Sequence, residues 1–166
     1  MNRKQGFTLI ELMLVMVILG ILMVIGTVAF TSSMKKGRDT TRKGNLRAIT
    51  NALELFYNDK GKYPVGVAGG IIGCGTDTSR TLCAVNGAFQ DSTPTPPTPP
   101  TMYMAQLPTD PVSSLKYYYV SAAGTQYQIY AHLENTQDPT IIVPAASPTN
   151  CGGTCNWGLS SANTNP

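Results

Sequence analysis

Residues 7–30 read FTLIELMLVMVILGILMVIGTVAF, and this stretch decides the architecture. Its only charge is Glu11, and 23 consecutive uncharged residues follow, from Leu12 to Met34. As a helix that run spans about 35 Å, against a bilayer hydrocarbon core of about 30 Å. A purely soluble cytosolic protein is therefore excluded. The whole chain has 166 residues, room for one modest domain. Charged residues are 13% of it, about half the usual share, so its core has little help from ion pairs. The formal charge is +3. Yet residues 63–166 carry two basic groups, Arg80 and Lys116, against five acids: Asp77, Asp91, Asp110, Glu134 and Asp138. That balance argues against a nucleic-acid partner.

MNRKQG precedes the apolar run, with Arg3 and Lys4 as its charges. A secretory signal would have a shorter apolar region and a small-residue cleavage site after it, and neither is present. An acid near the end of a membrane span carries a burial cost and is normally functional. Glu11 lies one helical turn from Phe7, so a free α-amino group at Phe7 would face its carboxylate. Such an amine is largely cationic at neutral pH.

The junction Gly6-Phe-Thr-Leu-Ile-Glu11 resembles the leader junction of type IV prepilins and type II secretion pseudopilins. The resemblance implies a leader at 1–6, cleaved after Gly6 on the cytoplasmic side, with N-methylation of the new terminus Phe7. It implies that Glu11 serves filament assembly, pairing with the amine of Phe7 in its own or a neighbouring subunit. It also implies the type IV pilin-like α+β fold: a long N-terminal helix over 7–59, its part 7–30 transmembrane and later filament core, laid against a small antiparallel β-sheet. Residues 60–166 would form the exported globular domain. Many family members carry a proline near the position of Val28; this chain does not.

Leu46, Ile49, Leu53 and Phe56 recur at helical spacing, with Ala52 and Tyr57 widening the stripe and Arg47, Asn51 and Glu54 opposite. A stop is expected near Asn58, where Asp59-Lys60-Gly61 and Pro64 follow. FYNDKGKYP at 56–64 resembles the D-x-G-x-Y-P that ends this helix in major pseudopilins. Tyr127, Ile129, Ala131 and Leu133 alternate with Gln128, Tyr130 and His132, which predicts a strand with one buried face. Ser121–Thr125 would turn a hairpin, and residues 140–143 would add a third strand. Lone His132 then falls on the polar face, a surface position without catalytic company.

The flank after the span holds Lys35, Lys36, Arg38, Arg42, Lys43 and Arg47. A positive-inside count would put it in the cytoplasm, but the leader junction and the downstream cysteines favour an N-in, C-out single pass. The cluster then reads as a basic collar facing anionic lipid. Thr93–Thr101, TPTPPTPPT, reads as an exposed polyproline II insertion whose threonines are candidate O-glycan acceptors. Cys74, Cys83, Cys151 and Cys155 allow three pairings. An exported domain favours disulfides over a Cys₄ zinc site, for which neither spacing fits. The local pairing 74–83 with 151–155 is the simplest.

Major pseudopilins often hold calcium in an acidic C-terminal loop; Glu134 and Asp138 lie in a similar region, but the clustered aspartates are missing, so no metal and no cofactor is expected. The expected partners are copies of the chain in a helical filament, a prepilin peptidase and N-methyltransferase, an inner-membrane assembly platform and membrane lipid. The expected place is the inner membrane, then a cell-surface or periplasmic filament. The competing reading is an uncleaved membrane-anchored extracellular binding module.

Overall fold

The computed structural model describes residues 6–92, 99–142 and 150–162. Most of the expected leader (residues 1–5), most of the Pro-rich insertion (93–98) and Val143 lie outside the described residues. One helix, α1, covers Leu9–Lys60. It extends through two compact units, residues 1–37 and 38–166.

In the first unit the large apolar side chains of α1 are exposed: Leu9, Ile10, Leu12, Met13, Leu14 and onward to Ile25, with Phe30 and Met34. The helix is long and apolar enough to cross a membrane, by length and composition. Among the described residues of this unit nothing covers that surface.

The second unit is the folded body. Its part of α1 buries Leu46, Ile49, Ala52, Leu53 and Phe56, the stripe that helical spacing predicts. Two assignments in that stripe change. Tyr57 remains 39% exposed and stacks on Tyr63 instead. Glu54, expected on the solvent face, is half-buried and accepts hydrogen bonds from the hydroxyls of Tyr63 (3.0 Å) and Tyr127 (3.1 Å). Burial and the neighbouring Glu54 carboxylate push the Tyr63 phenol up to about 12, so it stays a donor. The helix stops at Gly61, which takes a φ of +69° that favours glycine. Its N–H bonds to the Tyr57 carbonyl at 2.7 Å and closes the last turn.

Among the described residues eight strands form two sheets. The first holds β1 (Val65–Val67), β2 (Gly70–Thr76), β3 (Ser79–Leu82), β4 (Phe89–Asp91) and β5 (Thr101–Met104). Its order is β1-β2-β4-β5 with β3 also on β2, and β2 runs parallel to β4. The second is antiparallel, in the order β6 (Tyr118–Val120), β7 (Gln128–Ala131), β8 (Trp157–Ser160). Tyr118 faces Tyr130 and Val120 faces Gln128, the expected hairpin, and its turn holds Gly124 at φ +72°. The sheets join where the Gly66 N–H reaches Ser121 (2.8 Å) and the Tyr119 N–H reaches Gly69 (2.9 Å).

The third strand expected at 140–143 is not formed by the described residues 140–142; β8, twenty-six residues beyond Ala131, pairs with β7 instead. Ile142 only donates to Asn156, the residue before β8. Tyr130, expected on the polar face, is 4% exposed, because Cys151 and Cys155 pack over it. The main core closes around Phe56, which stacks on Phe89 (5.5 Å) and meets Tyr103 edge-on (5.1 Å).

Candidate processing and assembly site

The helix begins immediately after the residues that the sequence marks for processing. Gly6 and Phe7 precede the helix in non-regular backbone; Phe7 is 86% exposed, and a Cβ built at Gly6 meets nothing within 4 Å. Thr8 is the N-cap and Glu11 the third helical residue. The Glu11 Oε2 accepts the Thr8 N–H at 2.8 Å and the Thr8 hydroxyl at 2.7 Å. The Thr8 Oγ1 in turn takes the Glu11 N–H at 3.4 Å. This T-x-x-E box satisfies helix-end N–H groups that would otherwise be orphaned. The carboxylate also sits at the positive end of the helix dipole.

The arrangement adds to the expected pairing with Phe7. In the uncut chain Glu11 already has a partner, because Thr8 supplies two donors. The motif was legible as Thr8-Leu-Ile-Glu11 preceding an apolar run, and reading Glu11 only against Phe7 missed it. Cleavage after Gly6 would leave both Thr8 donors in place and add a cationic amine one residue away. The carboxylate then has two competing partners: the fixed hydroxyl and N–H of its own cap, and an α-amino group.

At the base of the second unit the basic flank has a different occupation from the expected collar. Arg42 is fully buried. It holds Asp110 bidentately (2.7 and 2.9 Å), and its Nη1 meets Asp39 at 2.7 Å and Glu134 at 2.8 Å. Arg38 takes Glu134 through Nε at 2.8 Å and Nη2 at 2.5 Å. Lys43 reaches Asp138 at 2.7 Å. Arg38, Arg42 and Lys43 of that flank are therefore held by carboxylates of the same chain. Asp39 accepts the backbone N–H groups of Glu134 (3.0 Å) and Asn135 (2.8 Å), which fixes the loop after β7 on the helix. Hydrogen bonds from Arg38, then from Arg42, hold the Glu134 carboxyl down to about 2. Lys43, with Thr140, does the same for Asp138, also to about 2.

The far end of the helix repeats the device, with Lys60 and Arg80 both on buried Asp91. Glu134 and Asp138, the acids of the expected calcium-like region, thus face cations. Among the described residues no group of three or more His, Cys, Asp or Glu is placed to hold a metal ion.

The structure joins Cys74 to Cys83 and Cys151 to Cys155, with Cα separations of 5.1 and 5.5 Å. The first bond crosses the β2–β3 hairpin. The second closes the CGGTC loop ahead of β8. His132 is half-buried rather than free on the surface, its Nδ1 2.7 Å from the Thr154 carbonyl of that loop.

Residues 1–27 match the family model of the prokaryotic N-terminal methylation motif. The chain is 39% identical over 61 residues to the type IV major pilin protein PilA of Myxococcus xanthus, covering 37% of this chain and 28% of that protein. It is 42% identical over 66 residues to the type II secretion system core protein G of Pseudomonas aeruginosa, covering 39% and 46%. With the type IV major alpha-pilin of Moraxella bovis the identity is 43% over 65 residues, covering 39% and 40%. The chain spans less than half the length of each of these relatives. No solved structure matches it.

Proposed function

We propose that this chain, which carries the N-terminal methylation motif and is similar in part to type IV pilins and type II secretion core proteins, is a structural, non-catalytic subunit of a pilus-like or pseudopilus filament. It is cut after Gly6 and N-methylated at Phe7 before assembly. One observation carries the reading: a helix whose described apolar side chains are uncovered from Leu9 to Ile25 and again at Phe30 and Met34 begins with a carboxylate, Glu11, held by its own cap. Monomers would keep that surface in lipid, and a filament would bury it against copies of itself. The single pass runs N-in and C-out, with the leader presented to a cytoplasmic-face peptidase and N-methyltransferase. The inner-membrane assembly platform then extracts the subunit into a periplasmic or cell-surface filament.

Processing is tested by co-expressing the chain with a prepilin peptidase and measuring intact mass. The expected product lacks six residues and begins at Phe7 carrying one added methyl group. Persistence of the full-length chain beside an active peptidase supports the uncleaved binding module instead. Between the two filament types, FYNDKGKYP leans toward a secretion pseudopilus, whereas the Pro-rich and cysteine-bearing insertions lean toward a displayed pilus. Assay of type II secretion and of surface filaments in the same deletion strain separates them.

A further inference from the structure

The two disulfides stand in different surroundings, and from that difference we propose an order for the oxidation reaction that must supply this fold: the Cys151–Cys155 bond is made while the C-terminal segment is still undocked, and docking then seals it. Both of its cysteines are 0% exposed. The loop between them is gripped from two sides. The Lys116 N–H bonds to the Cys151 carbonyl at 3.0 Å, and Gly152, at φ +83°, leaves no room for a Cβ, which would fall 2.0 Å from the Ser114 carbonyl oxygen. On the other side His132 holds Thr154 at 2.7 Å, and the side-chain amide of Asn156 bonds to both the N–H (2.6 Å) and the carbonyl (2.9 Å) of Leu133. In the other bond Cys83 is 6% exposed but Cys74 is only half-buried, so that disulfide is approached from the Cys74 side.

Disulfide exchange requires a thiolate to reach a sulfur directly, through a mixed disulfide with the oxidant. In the undocked segment one cysteine thiolate attacks the disulfide of an exported thiol oxidant and expels one oxidant thiolate. The second cysteine thiolate then attacks the sulfur of the first, closes the bond and releases the other oxidant thiolate. The two electrons and two protons lost by the cysteines leave on the oxidant as a dithiol. No oxidant reaches either sulfur once the loop lies under residues 114–118 and 130–133. The oxidation therefore belongs before β8 pairs with β7, whereas Cys74–Cys83 stays open to exchange afterwards.

The full chain in detergent micelles tests this in two ways. In the native protein, dithiothreitol followed by alkylation and peptide mapping should label Cys74 and Cys83 faster than Cys151 and Cys155 by about tenfold or more, the protection expected of a segment that exchanges only when it opens. Equal rates, or the reverse order, overturn the proposal. In oxidative refolding with glutathione disulfide, the single tryptophan, Trp157, reports docking, since it is 6% exposed two residues beyond Cys155. Alkylation at each time point should find Cys151–Cys155 closed in every molecule whose Trp157 emission has become native. Closure of that bond after Trp157 has reached its native emission overturns the order.

Discussion

Glu11 carries a different burden before and after cleavage. In the uncut chain it accepts from Thr8 and completes the helix cap, so its position near the lipid boundary is electrostatically furnished from within. The proposed cleavage would place an ammonium group at Phe7, and burying that group without a counter-charge costs several kcal/mol. Glu11→Ala should therefore leave membrane insertion intact, since it removes a polar group from an apolar segment. It should also leave cleavage intact, because Gly6 and Phe7 are unchanged, while filament assembly is lost or slowed. Glu11→Asp, with the charge on a shorter arm, should be intermediate. Sheared-filament electron microscopy beside membrane-fraction blots reads all three outcomes; filaments of wild-type abundance from the alanine variant would refute the electrostatic role.

Among the elements, α1 from Arg38 onward is more than an apolar stripe. Its first turns in the folded body bind two loops through charge: Arg42 holds Asp110 in the 107–112 stretch, and Arg38, Asp39 and Lys43 hold 134–138. Asp110 has no side-chain exposure, so removing Arg42 leaves a buried carboxylate unpaired. Arg42→Met should destabilise the folded body by about 3–5 kcal/mol, while the double variant Arg42→Met/Asp110→Leu should recover much of the loss. Denaturant unfolding followed by Trp157 fluorescence measures both. Acid acts on the same network. Glu134 and Asp138 titrate near 2 in the fold, against about 4.3 and 3.9 in an unfolded chain. A depressed folded pKa contributes stability that is fully present above the unfolded value and lost as pH falls through the folded one. The melting temperature should therefore drop steadily between about pH 5 and pH 2. A flat profile across that window would show that these pairs contribute nothing.

For the whole molecule, the proposed function makes release of the leader the decisive event. A Cβ at Gly6 meets nothing within 4 Å among the described residues. Gly6→Val should therefore insert and fold normally. It should still resist a prepilin peptidase, because the added side chain crowds the backbone the protease must approach. Intact mass decides it: a valine variant cut as fast as the parent would remove Gly6 from the processing site. The same variant is a useful monomer control, since uncut chains keep the Glu11 carboxylate in its cap.

The sequence by itself determined what depends on nearest neighbours along the chain. Four kinds of local signal sufficed: the uncharged run after Leu12, the Gly6–Glu11 junction, the 46–56 stripe and the Gly61 stop. Each follows from one helix period, one dipeptide junction or one backbone conformation. The 118–131 hairpin was legible for the same reason, because alternation and a glycine turn are local. Tertiary structure alone decided the rest. Strands β1 to β5 are three to seven residues long, and β1 and β2 are also interrupted by glycines, so no period develops in them. That Trp157–Ser160 and not residues 140–142 would pair with β7 depends on a loop closure no local pattern encodes. The basic flank shows the limit most clearly. Arg38, Arg42 and Lys43 look in sequence like a collar for lipid, because, Asp39 apart, their carboxylates lie 68 to 96 residues away along the chain. Only the fold brings those charges together, and burial with a paired opposite charge turns an apparent membrane contact into the clamp that fixes the globular body on its helix.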